Sequence, residues 1–214
     1  MCLAAFGLFA ISSMLAALAM LLVPAGQAPG RAVIDQDHVI RLMAYELTVL
    51  AALGWVLAVR GWTRAKIGLE ASWGASGLGV ALAVVAMWIG MLLSSALVAH
   101  GGALAQLVAS TRPAVARIEP LTIAALCIVN PLYEETFVSG YLITALKETR
   151  GFWFAANASA GLRLLYHLYQ GPVAVVGILP VGLLFAYWYA RTGRLWPLIV
   201  AHALLDAIAL AASQ

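Results

Sequence analysis

Charge is what this chain has least of. Only 10% of its 214 residues are Asp, Glu, Lys or Arg, against 64% hydrophobic, and the mean hydropathy is +0.97. So few charges cannot cover a water-facing surface, which excludes an ordinary soluble globular domain. Cysteine is equally scarce. Cys2 and Cys127 lie far apart with no CxxC spacing, so neither a disulfide framework nor a thiolate metal site is indicated. The net charge of +3 comes without a basic stripe, because the Lys and Arg residues are scattered at the ends of apolar runs, and nucleic acid is not an expected partner. No internal repeat, second soluble domain or low-complexity tail is visible.

What the chain has in quantity is long apolar sequence. Crossing roughly 30 Å of hydrocarbon takes about 20 mostly apolar residues. Seven runs qualify: Leu3 to Val23, Val39 to Val59, Leu78 to Ala99, Leu121 to Leu146, Phe152 to Tyr169, Val173 to Ala190 and Leu195 to Ala212. The expected fold is all-α, a polytopic transmembrane bundle of about seven helices. "YQGPV" marks a stop and restart between the fifth and sixth runs. In "GRLWPLIV", Pro197 suits a first helical turn and Trp196 an interfacial depth. Arg60, Arg64 and Lys66, then Lys147 and Arg150, then Arg191 and Arg194 fall in every second loop. The positive-inside rule makes those loops and the N-terminus cytoplasmic. A cleaved signal peptide is the alternative for the first run, against which stands its lack of a positive n-region. The expected setting is a multi-pass integral membrane protein, in a bacterial inner membrane.

Ionisable groups at membrane depth are expensive and mark function by default. Here they are Glu46, Glu134, Glu135, Arg163, His167, His202 and Asp206. Arg163 with His167, and His202 with Asp206, are i,i+4 pairs that each share a helix face. Each residue alone also has a bland reading. The two glutamates could open a helix after Pro131, although the apolar run Leu121 to Val129 argues for a helix already under way. Arg163 could be a structural counterion, either histidine a packing residue, and Asp206 an interhelical acceptor. Glu46 stands alone and suits a structural hydrogen bond. Taken together, the acids and histidines on three helices point to one shared polar site inside the C-terminal four helices.

A carboxylate beside an imidazole can take a proton from water, making a nucleophile without Ser or Cys. A set of Glu134, His167 and His202 could instead hold zinc and lower the pKa of its bound water. Both routes lead to hydrolysis, with a second imidazole free to stabilise an oxyanion. A proton or ion relay is a physically possible third use, though no inverted repeat supports it.

At this point the residues resemble a known family, the CPBP intramembrane proteases, which group CAAX prenyl proteases of the Ras-converting type with bacteriocin-processing and immunity-type (Abi) proteins. The family pattern is a Glu-Glu pair with Arg four residues after the second Glu, then Phe-x-x-x-His, then His-x-x-x-Asn or Asp. The matching stretches are "EETFVS" from Glu134, "RLLYH" from Arg163 to His167 and "HALLD" from His202 to Asp206. The resemblance divides the chain into N-terminal helices, 1–120, and a protease core, 121–214. It implies that Glu134 and His167 activate water while His202 and Asp206 form the oxyanion site, with Glu135 in the same set. A zinc-dependent hydrolase is the older reading of the same residues. The implied substrate is a membrane-bound or prenylated peptide; the alternative is a non-catalytic scaffold or immunity-type protein. Ser139 stands where the family usually has Arg, and Arg163 where it has Phe. The expectation is that the guanidinium has moved between helices and still pairs with Glu135.

Overall fold

The computed structural model describes residues 14–15, 33–103, 105–106, 114–170 and 174–214. The elements in chain order are β1 (Val33–Ile34), α1 (Gln36–Val59), α2 (Trp73–His100), β2 (Ala114–Val115) and α3 (Pro120–Glu134). A π-helical segment, Glu135–Tyr141, joins α3 to α4 (Leu142–Arg150), and α5 (Phe152–His167), α6 (Leu179–Thr192) and α7 (Trp196–Ala211) follow. Short 3₁₀ and π turns, Leu168–Gln170 and Ala174–Ile178, lie between α5 and α6. The fold is an all-α bundle. Six of the seven apolar runs are helical here. The first run, apart from two residues, lies outside the described residues, as do Gly171 and Pro172 of the "YQGPV" turn.

The helices begin where the local chemistry allows. Asp35 caps α1 by accepting from the His38 backbone N–H at 2.8 Å, and Ser72 caps α2 by accepting from Ala75 at 3.1 Å. Pro197 occupies the first turn of α7, where its missing donor is not needed. Pro131, in contrast, lies inside α3, so the two glutamates do not open a helix. They sit at the middle of a continuous helical stretch, Pro120–Arg150.

Three helices, Gln36–Val59, Trp73–His100 and Pro120–Arg150, are long and apolar enough to cross a membrane, and Trp196–Ala211 is a shorter apolar helix. Trp55, Trp88, Met91, Leu92 and Ile128 are exposed on these helices, as lipid-facing residues are. α7 packs along both α2 and α3, α1 lies against α3, and α5 and α6 form an antiparallel pair. The main core joins Leu82 and Ala83 of α2 with Ile143, Ala156, Ala160, Phe185, Ala186 and Leu198. Small residues on α5 let the backbones approach closely, as in membrane bundles generally.

The three basic loops meet on one face of the bundle. The Leu195 N–H donates to the Gly68 carbonyl at 2.9 Å, and Lys147 Nζ donates to the Ala190 carbonyl. Gly68 has φ +66, and a Cβ there would fall 1.7 Å from the Gly193 carbonyl oxygen, so only glycine allows this approach. The opposite face gathers the start of α1, the start of α3 and the end of α7. There β1 pairs with β2 in parallel, Gln36 Nε2 donates to Thr122 Oγ1 at 2.8 Å, and the Ile118 N–H donates to Gln214 Oε1 at 2.8 Å.

Candidate active site

Glu134 closes α3 and Glu135 opens the π-helical segment. A π turn disrupts the regular i→i−4 bonding and is frequent at functional sites. Here neighbouring helices satisfy its carbonyls. Ser159 Oγ of α5 donates to the Val138 carbonyl at 2.7 Å, and the Tyr189 hydroxyl of α6 lies 3.2 Å from that of Gly140. Both glutamates are consequently held at one place, facing α5.

Arg163 spans the pair. Its Nη2 donates to both oxygens of Glu135, at 2.7 and 2.9 Å, and its Nη1 reaches Glu134 Oε2 at 3.3 Å. Arg163 is 4% exposed and Glu135 0%, so neither charge could be held there without the other. Gly182 leaves room for the arginine stem, since a Cβ would lie 3.1 Å from Arg163 Cδ. Two further donors complete Glu135: Ser139 Oγ at 2.7 Å on Oε2, and His202 Nδ1 at 2.7 Å on Oε1. With both oxygens engaged, Glu135 is suited to holding the site together.

Glu134 is bound less completely. Tyr166 donates to Oε2 at 2.6 Å, and Asn130 Nδ2 reaches Oε1 at 3.3 Å. The same Asn130 amide donates to Glu46 Oε1 at 2.8 Å, which ties the lone acid of α1 to the site. Glu46 is 2% exposed, and its Oε2 has no hydrogen-bond partner among the described residues.

His167 Nδ1 lies 2.9 Å from the Arg163 carbonyl. A carbonyl only accepts, so Nδ1 carries the proton and Nε2 keeps its lone pair in the neutral ring. The ring stacks with Tyr169, centroids 6.4 Å apart. His202, with Nδ1 on Glu135, turns Nε2 toward Asp206, whose Oδ1 is 3.6 Å away. Glu134, His167, His202, Asp206, Glu46 and Asn130 all line a cavity of about 330 Å³.

The structure thus brings every residue singled out in the sequence into one cluster, with Glu135 and Arg163 packed behind the cavity wall. Asn130 and Tyr166 are additions to it. Both carried a signal: Asn130 precedes Glu134 by four residues, and Tyr166 follows Arg163 by three, each one turn away on the same face. Among the described residues no three His, Cys, Asp or Glu side chains are grouped to hold a metal ion.

Residues 116–208 match the family model described as Rce1-like, type II CAAX prenyl endopeptidase Rce1-like. The match is consistent with a CPBP family protease and supports an enzyme; with the apolar helices it points to an integral membrane protein. No curated protein and no solved structure matches the chain.

Proposed function

We propose that this chain, whose C-terminal part matches a CAAX-type endopeptidase family, hydrolyses a peptide bond in a membrane-bound or lipid-modified peptide, using water activated by Glu134 and His167. The observation that carries the reading is the contrast between the two adjacent acids. Glu135 is fully buried and engaged on both oxygens, whereas Glu134 lines the cavity and has, among the described residues, one 3.3 Å bond on Oε1. A lone pair remains there to take a proton.

In this mechanism a water in the cavity donates one proton to Glu134 Oε1 as its oxygen attacks the peptide carbonyl carbon. His167 Nε2 accepts the water's other hydrogen in a hydrogen bond and orients it. The carbonyl oxygen becomes the oxyanion, stabilised by a proton on His202 Nε2, with Asp206 balancing the imidazolium charge. Glu134 then returns its proton to the leaving nitrogen as the C–N bond breaks, giving an amine and a carboxylic acid, which ionises on release into water. Arg163, Tyr166 and Ser139 hold the acids in position and take no proton. No step passes through a metal.

The test is cleavage of peptide substrates by the purified full chain in lipid, with Glu134→Gln as the matched control. Cleavage by the native chain, absent in the variant, supports the reading. A folded protein that cuts nothing, or a variant that cuts equally well, overturns it and leaves the scaffold or immunity-type role, for which the family position now held by Ser139 is the specific motive.

A further inference from the structure

The cavity has a direction. Its lining begins with Ile34 and the exposed His38 at the start of α1, and Ala209 and Leu210 at the end of α7, and descends to Glu134, which is 7% exposed. The starts of α1 and α3 and the end of α7 form the face that carries β1, β2 and Gln214. The basic loops lie at the other ends of the same helices. A separate cavity of about 430 Å³ opens at that end, lined by Lys66, Lys147, Glu148 and Tyr189, but Ser139, Ile143 and Leu195, each 0% exposed, stand between it and Glu134.

The bias in charge distinguishes the faces: among the described residues the open face carries Arg41 and Arg117, and the other face carries more. Arg60, Arg64, Lys66, Lys147, Arg150, Arg191 and Arg194 all sit on that other face, joined there by the Leu195 to Gly68 and Lys147 to Ala190 hydrogen bonds. Lys and Arg accumulate on the cytoplasmic side of membrane proteins. We infer that the candidate site is entered from the non-cytoplasmic side of the membrane, and that its substrate is a peptide segment presented in or at that leaflet. The substrate half of this inference rests on the proposed peptidase reading; the direction rests on the cavity and the basic loops alone. A tail anchored at the cytoplasmic leaflet would have to pass the buried layer of Ser139, Ile143 and Leu195 to reach Glu134.

The experiment separates the two halves. In full-length chain with Cys2→Ala and Cys127→Ala, single cysteines are introduced as His38→Cys and Ala209→Cys at the rim and Arg64→Cys in a basic loop. A membrane-impermeant maleimide is applied to intact spheroplasts and to inverted vesicles. The expected result is labelling of His38→Cys and Ala209→Cys in spheroplasts and of Arg64→Cys in inverted vesicles only. Rim cysteines that label from the same side as Arg64→Cys, an Arg64→Cys that labels in spheroplasts, or rim cysteines silent on both sides would each overturn the direction. Labelling requires no cleavage, so a chain that labels as expected yet cuts nothing fails the peptidase reading alone. In a chain that does cut, a peptide supplied outside spheroplasts is cleaved; cleavage confined to inverted vesicles overturns the inference.

Discussion

Ser139 and Arg163, on different helices, end on the same carboxylate oxygen: Ser139 Oγ lies 2.7 Å and Arg163 Nη2 2.9 Å from Glu135 Oε2. The first is where the resembled family usually carries arginine, and the second is where this chain carries it. A guanidinium arriving from either backbone position would meet Glu135.

That geometry makes the relocation testable. Arg163→Ala strands Glu135, and losing one member of a buried ion pair destabilises by about 3–5 kcal/mol. The protein is expected to lose thermal stability and any activity together. Arg163→Phe combined with Ser139→Arg is expected to recover much of both. A double variant no better than Arg163→Ala in a detergent melting assay would show that the two positions are not equivalent.

For Glu134→Gln, cleavage is expected to fall by at least about 10²-fold to 10⁴-fold, the range that general-base catalysis supplies. Its melting temperature should stay near that of the native chain, since the amide oxygen can still accept from Tyr166. His202→Ala is expected to lose about 10²-fold to 10³-fold with the oxyanion donor. It should also melt earlier, because His202 is one of the donors on buried Glu135.

Glu46 and Asn130 act on Glu134 in series. Removing the acceptor in Glu46→Leu frees the Asn130 amide to turn away from Glu134, and a hydrogen bond to a charged group is worth about 1.5–3 kcal/mol, so kcat is expected to fall by about 10-fold or more. KM should change little. Glu46→Gln keeps an oxygen facing Asn130 and is expected to lose less. Equal losses in Glu46→Gln and Glu46→Leu would mean that the charge matters rather than the acceptor.

Chelation tests the ligand geometry. With Glu134, His167 and His202 not grouped as ligands, incubation with 1,10-phenanthroline or EDTA is expected to leave the cleavage rate unchanged. Loss of activity that zinc restores would require these side chains to rearrange.

The helices were legible because apolar runs of membrane length are long signals that neighbouring contacts rarely override. The polar cluster was legible for a different reason: a charge in such a run has few uses, so Glu134, Arg163, His167 and His202 stood out singly before their contacts were known. The pairing of Arg163 with Glu135 was legible too, from the arginine missing at Ser139; what could not be read was the rest of the pairing. His202 and Asp206 share a face at i,i+4, yet the strong bond of His202 goes to Glu135, 67 residues earlier. Glu46 meets Asn130 across 84 residues. The π-helical turn at Glu135 leaves no trace in a sequence that is apolar on all sides, because its support comes from Ser159 and Tyr189 on other helices.

The clasp between Gly68 and the Gly193–Leu195 turn joins segments made at very different moments of synthesis. Gly68 leaves the ribosome early, and its partner follows only after more than half of the chain has been added. Until then the α1–α2 hairpin has an open glycine carbonyl on the basic face and nothing there to receive it. The α6 to α7 turn is therefore what satisfies the carbonyl that the α1 to α2 loop leaves open.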